Sequence, residues 1–189
     1  MNFLHRKLCS SARWKGVVQT HALPWALDEI DLGCDALEIG PGYGAATEVL
    51  QRRVTHLTCV ESDRNLAEIL RQTVSENVTV RCEDATAMSL PSASFDGVVC
   101  FTMLHHIKSA ELQNQLFAEV ARVLKPGGIF AGTDSLKSRT LGLIHLFDTL
   151  VPVDPETLPR RLTAAGFENV KVELNPYAFR FRASKPLAA

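Results

Sequence analysis

Three short stretches of this chain combine residue types able to do chemistry. Gly40-Pro41-Gly42-Tyr43-Gly44 puts three glycines into five residues directly after the apolar run 36–39. Gly40 and Gly44 suit a tight turn, and Gly42 lets a ligand come close to the backbone. A helix beginning near Ala45 would offer that ligand free N–H groups and a positive dipole end. An ordinary strand-to-helix turn needs fewer glycines, so the pattern points to a small anionic or polar ligand. Glu61 stands 17 residues after Gly44, at the end of the next apolar run. A carboxylate there can accept hydrogen bonds from both hydroxyls of a ribose. Asp84-Ala85 has a carboxylate that could meet an exocyclic amine of adenine, and His105-His106 are candidate general bases.

The elements that must position these residues follow from periodicity. Short apolar runs alternate with stretches of helical period, the mark of a parallel sheet with crossover helices. Strands are predicted at 36–39, 56–60, 78–82, 95–101 and 129–133, with helices at 45–53, after 64, and after 109 up to Pro126-Gly127-Gly128. Residues 136–150 carry apolar residues on a helical period, and a further helix ends at Ala165-Gly166-Phe167. Two last strands, 170–174 and 178–183, are joined by Asn175-Pro176. So short a link forces an antiparallel pair. The expected fold is an α/β, Rossmann-like doubly wound sheet, mostly parallel with an antiparallel strand near the C-terminus. Residues 14–32 read as one or two helices lying across it.

Gly40, Gly42 and Ala45 also satisfy G-x-G-x-x-A, so the glycine turn and Glu61 alone do not separate a dinucleotide site from another nucleoside site. The downstream segments do. Glu38-Ile39-Gly40-Pro41-Gly42-Tyr43-Gly44, Glu61, Glu83-Asp84-Ala85, Phe95-Asp96 through Leu104-His105-His106, and Leu124-Lys125-Pro126-Gly127-Gly128 follow one another across residues 35–134. In that order and spacing the chain resembles the class I S-adenosylmethionine-dependent methyltransferases, of the small-molecule, methyltransferase-11-like type. The resemblance implies that Glu38 and Gly40 border the methionine and ribose parts of the cofactor. It puts Gly42 and Gly44 at the backbone approach, Glu61 on the ribose hydroxyls, and Ser62 beside the adenine plane. Asp84 and Ala85 would meet the adenine, and Phe101 and Thr102 the methionine end. Ala45 departs from the Thr or Ser frequent there. His105 and His106 are the candidate general bases, although a scaffold role in setting the loop fits the pair better.

The 189 residues make one domain: a helical lid at 1–34, a cofactor-binding core at 35–134, and an acceptor-side insertion with the last strands at 135–189. The 46% hydrophobic and 22% charged content excludes collagenous, low-complexity and disordered classes. No apolar run nears the roughly 18 residues of a membrane span. Residues 1–27 carry four bases and no acid, too sparse for a nucleic-acid tail, and lack a secretory apolar core. Five scattered cysteines without a C-x-x-C pair point to reduced thiols and a cytoplasmic protein. Adjacent histidines match no metal-ligand spacing, so no metal is expected. The acceptor is expected to be a small, partly apolar molecule, held by 1–34 and 135–152. Trp14, His21, Trp25, His145 and Phe147 are the candidates to meet over the methyl group. Two rival readings are a catalytically silent cofactor-binding subunit and an NAD-dependent oxidoreductase. The second lacks an evident tyrosine-based catalytic pair, since the only tyrosines are Tyr43 and Tyr177.

Overall fold

The computed structural model describes residues 2–146 and 148–188. The strands are β1 (Asp35–Ile39), β2 (His56–Val60), β3 (Val78–Arg81), β4 (Phe95–Phe101), β5 (Leu124–Ser135), β6 (Glu168–Leu174) and β7 (Ala178–Ser184). They form one sheet in the order β3-β2-β1-β4-β5-β7-β6. Pairings among β1 to β5 are parallel, and β7 lies antiparallel to both β5 and β6. This is the doubly wound sheet read from the sequence. Strand order reverses between β1 and β4, so the loops leaving those two strands diverge and open a crevice at their carboxyl ends.

Period-two alternation assigns the two faces. Leu37, Ile39, Val98, Cys100 and Phe130 point into one layer, with Phe117 and Leu162 of the covering helices. Ala36, Cys59, Val99, Phe101 and Ala131 point into the other, with Leu23 and Leu50. The helices are α1 (Phe3–Cys9), α2 (Ala12–Val17), α3 (Leu23–Ala26), α4 (Thr47–Leu50), α5 (Arg64–Arg71), α6 (Ala110–Val123), α7 (Arg139–Ile144) and α8 (Leu158–Ala164), with a π-helical turn at Val18–Ala22. In α6, the Ser109 hydroxyl accepts the Leu112 N–H at 3.2 Å as an N-cap, and Leu116, Phe117, Val120 and Val123 form the buried stripe. Burial of a phenylalanine such as Phe117 contributes about 2–3 kcal/mol.

Several boundaries differ from expectation. The helix predicted at 45–53 shrinks to α4, with turns on both sides, because Gly44 and its neighbours are held by turn hydrogen bonds such as Gly44 N–H to the Pro41 carbonyl at 2.9 Å. The 136–150 period yields only the six residues of α7, and α1 lies in the segment expected to be helical but ahead of the 14–32 stretch that reads as helices. Leu124-Lys125-Pro126-Gly127-Gly128 is the irregular start of β5: pairing jumps from Phe95–Leu124 to Gly97–Ile129 around a bulge. Its lysine locks the amino ends of the strands. Lys125 Nζ donates to Asp35 at 3.0 Å and Asp96 at 2.7 Å, while Asp96 accepts the amides of Cys34 and Asp35. All five cysteines are free thiols; Cys82 lies just past β3 and is exposed, whereas Cys59 and Cys100 are buried. No helix is long and apolar enough to cross a membrane among the described residues.

Candidate active site

The crevice holds a cavity of about 370 Å³ at the carboxyl ends of β1, β2 and β4. A second cavity of about 270 Å³ adjoins it, sharing Gly40, Ser62, Met103, His106 and Ile107. The glycine turn forms the floor. Gly42 has φ +57°, a left-handed conformation suited to glycine, and a β-carbon there would meet nothing within 4 Å. Its bare backbone therefore faces open space in which a ligand can lie. Gly40, at φ +65°, would push a β-carbon to 3.0 Å from that of Met103. Gly44 departs from expectation. It is absent from the cavity wall, and its missing β-carbon makes room for Leu70 Cδ1, which one would approach to 2.7 Å.

Glu61 ties the end of β2 to this turn. One carboxylate oxygen accepts the Gly42 N–H at 3.0 Å and the other the Asp63 N–H at 2.9 Å. A carboxylate offers about four lone-pair sites, so capacity for a diol remains. Asp63 caps α5 through the amides of Asn65 and Leu66. Glu38, 2% exposed, accepts the Thr47 hydroxyl at 2.6 Å, and burial pushes its carboxyl up to about 7. Phe101 and Thr102 line the same cavity. Thr102 has φ +51°, a strained conformation for a β-branched residue of the kind that clusters at functional sites. Ser62 borders both cavities, and Asp84 and Ala85 line the second. Asp84 is exposed and accepts both the amide and the hydroxyl of Thr86.

The two candidate bases part company. His106 stands in the cavity wall. Burial first, then the neighbouring imidazoles His105, His5 and His145, pull its pKa down to about 3. So weak a base removes few protons near neutral pH. His105 is buried and off the cavity wall. Its ring pairs with Asp134 through a short Nδ1–Oδ1 contact, and its amide donates to the same carboxylate at 3.0 Å. That geometry serves the loop.

Sequence reading missed several lining residues: Cys9, Val18, Met103, Ile107, Asp148 and Thr149 join Trp14 around the cavity. Asp148 binds α1, accepting His5 Nδ1 and the Asn2 N–H at 3.0 and 3.1 Å. Burial raises its carboxyl, but hydrogen bonds from His5, Thr149 and Asn2 outweigh it and hold the pKa down at about 2. His145 lies behind His106, with ring centroids 5.1 Å apart. His21 is exposed, and Trp25 carries the Arg180 guanidinium 5.6 Å above its ring; neither lines the cavity. Phe147 falls outside the described residues. Glu38, Glu61, Asp63 and Asp148 all line the main cavity, and no lysine or arginine does so among the described residues. Such a site favours a cation over a phosphate.

The fold and this crevice define an α/β protein of the nucleoside-cofactor-binding kind. The family model described as "Methyltransferase domain" matches residues 37–132, which is 96 of the 189 residues. The chain belongs to that family, the class I S-adenosylmethionine-dependent methyltransferases. An uncharacterized methyltransferase of Mycobacterium tuberculosis is 33% identical over 141 residues, 70% of this chain and 66% of that protein. Ribosomal RNA small subunit methyltransferase A of Fusobacterium nucleatum is 44% identical over 66 residues, 34% of this chain; the match spans only a quarter (25%) of that protein. A SAM-dependent methyltransferase of Aquifex aeolicus superposes with a TM-score of 0.77 at 18% identity, covering 97% of this chain and 98% of the other. That last likeness is one of fold.

Proposed function

We propose that this protein transfers the methyl group of S-adenosylmethionine directly to a small, partly apolar acceptor. The observation that carries the proposal is the electrostatic character of the cavity: the acidic side chains Glu38, Glu61, Asp63 and Asp148, and no lysine or arginine among the described residues, line a cavity built on a glycine turn of the nucleoside-binding kind. S-adenosylmethionine carries a sulfonium and an ammonium, whereas a dinucleotide would bring a pyrophosphate against those carboxylates. The bound cofactor supplies an activated methyl with its own leaving group, so the chain's task is alignment and exclusion of water. In this reading Gly40 and Gly42 present backbone, Glu61 holds the ribose diol, and Ser62, Asp84 and Ala85 surround the adenine. Glu38, Phe101 and Thr102 border the methionine end. Trp14, Val18 and Ile107 give the acceptor an apolar wall, with Asp148 and Thr149 as its polar edge.

The matches to ribosomal RNA enzymes cover between 26% and 50% of this chain and at most 46% of those proteins, too little to carry an RNA acceptor with them. A wall that continues past the glycine turn to Trp14 and Asp148 leaves room for an acceptor, which disfavours a catalytically silent subunit. Thermal shifts with S-adenosylmethionine, S-adenosylhomocysteine and NAD test the reading. A ligand at 100 times its dissociation constant stabilises by about 2.7 kcal/mol. Both sulfur compounds should stabilise and NAD should not; equal or greater stabilisation by NAD would overturn the assignment.

A further inference from the structure

Four imidazoles meet at the cavity wall, with only His106 lining the cavity. His5 comes from α1, His105 and His106 from the loop after β4, and His145 from the turn after α7. Ring centroids lie 4.3 Å apart for His5 and His145, 4.9 Å for His5 and His106, and 4.2 Å for His105 and His106. We propose that His5, His106 and His145 form a binding site for one divalent transition-metal ion of the imidazole-preferring kind, with Zn²⁺ as its probe.

Three observations carry this. The ligand atoms of these three residues lie within 4.8 Å of one another. The neighbours of two of the rings fix their tautomers. His145 Nδ1 lies 2.8 Å from the Leu141 carbonyl, which can only accept, so Nδ1 holds the proton and Nε2 the lone pair. His5 Nδ1 likewise donates to the ionised Asp148, leaving its Nε2 as a lone-pair donor. A ring nitrogen held by a carbonyl or carboxylate, with the other free, is the usual outer support of a metal-bound histidine. Finally, His145 is only 5% exposed, and its Nε2 has no hydrogen-bond partner. Ring packing alone does not account for a buried acceptor left empty, since that is costly. An ion in the midst of the three rings would fill it.

The donor set selects the ion. Neutral imidazoles suit zinc, copper, iron or nickel rather than magnesium or calcium, and Asp148 and Asp134 lie beside the cluster to balance a double charge. With bonds of 2.0–2.1 Å, nitrogens around a tetrahedral ion sit roughly 3.3 Å apart. Binding therefore draws the most widely spaced ligand atoms together by roughly 1.5 Å. The site holds together three segments that sequence spacing could not connect, and it stands whether or not the cavity transfers methyl groups.

The test uses tag-free, chelator-stripped full-length protein titrated with Zn²⁺ and, for spectroscopy, Co²⁺. One ion per chain is expected by elemental analysis, with Co²⁺ ligand-field bands and none of the intense near-ultraviolet absorption of thiolate ligation. His145→Gln and His5→Gln should each weaken Zn²⁺ by 100-fold or more. Asp148→Asn should weaken it 10- to 100-fold through His5, and His21→Ala, outside the cluster, should change nothing. Bound Zn²⁺ should also slow proteolytic cleavage within α1. Absence of stoichiometric binding at micromolar Zn²⁺, a thiolate spectrum, or affinity retained in the His145→Gln, His5→Gln double variant would each overturn the site. If the variants fail to fold, the wild-type stoichiometry and Co²⁺ spectrum decide alone. S-adenosylhomocysteine thermal shifts on stripped protein report separately on the methyl-transfer reading.

Discussion

The two halves of the cavity are built in opposite ways. The half proposed for the cofactor centres on residues 38–66, where the glycine turn, Glu61 and the α5 cap are joined by hydrogen bonds spanning at most 19 positions, with Asp84, Ala85, Phe101 and Thr102 following at the next strand exits. The half proposed for the acceptor gathers Cys9, Trp14 and Val18 from the start of the chain, His106 from the middle, and Asp148 and Thr149 from further on. Asn2 fastens that half by donating to the Ile144 and Leu146 carbonyls, more than 140 positions away. A site for a constant ligand can be encoded locally, whereas a site for a variable one is assembled from the segments that loop over the sheet.

The comparison predicts separable losses, the largest from removing the assembled half. Deleting residues 1–10 takes away α1 and its hold on Asp148 but keeps Ser11, whose hydroxyl caps α2 at the Trp14 amide. It leaves Trp14, Val18 and the Gln19 side-chain hydrogen bond to the Ala45 carbonyl in place. Turnover of an acceptor found by screening should fall at least 100-fold, while S-adenosylhomocysteine affinity stays within about tenfold, or 1.4 kcal/mol. Equal losses in both measurements would show that the halves are one unit.

Glu61→Ala attacks the local half. Calorimetric titration should show cofactor binding weaker by roughly 1.5–3 kcal/mol, the scale for hydrogen bonds to a charged group. The free protein should also lose about 1 kcal/mol in a denaturant melt, because the carboxylate supports the Gly42 and Asp63 amides. An unchanged titration would remove Glu61 from the ribose role.

Glu38 makes the local half sensitive to pH. Burial raises its pKa from 4.5 to about 7, so between those values the folded chain keeps a proton that the unfolded chain releases. Stability should therefore fall as pH rises through that window, by about 3 kcal/mol for this group alone. A cation in the cavity favours the ionised form. Affinity for S-adenosylmethionine should rise over the same window, by up to about tenfold per pH unit, and more than for S-adenosylhomocysteine, which lacks the sulfonium. Glu38→Gln should flatten both curves; an unaltered pH profile in that variant would sever Glu38 from the effect.

The legibility of the chain follows the same division. The run of parallel strands, the antiparallel pair at the C-terminus and the carboxylate after β2 lie where strand periodicity and turn residues speak directly; the strand order and the strained Thr102 at the exit of β4 do not. The resemblance also drew on Phe95-Asp96 and Leu124-Lys125-Pro126-Gly127-Gly128, yet Asp96 and Lys125 lock strand starts at the far end of the sheet. They report fold rather than chemistry. Gly44 is similar: its conformation was legible, but the Leu70 side chain that requires it was not. The histidine cluster was invisible because His5, His106 and His145 are 101 and 39 positions apart, and only the packing of α1 against the turn after α7 brings them together.

The smallest expected effect belongs to Asp84, and it grades the cofactor half from within. Glu61 has both oxygens engaged by turn amides and stands 7% exposed. Asp84 is exposed, and one of its oxygens is already occupied by the Thr86 amide and hydroxyl. Water competes there for any adenine amine, so one hydrogen bond at such a position contributes about 0.5–1.5 kcal/mol. Asp84→Ala should weaken S-adenosylhomocysteine by about three- to tenfold in the titration used for Glu61→Ala, and less for an analogue without the exocyclic amine. If the loss matches that of Glu61→Ala, or persists with that analogue, then Asp84 acts by shaping the loop after β3. The second cavity would then owe its adenine preference to Ala85 and Ser62 instead.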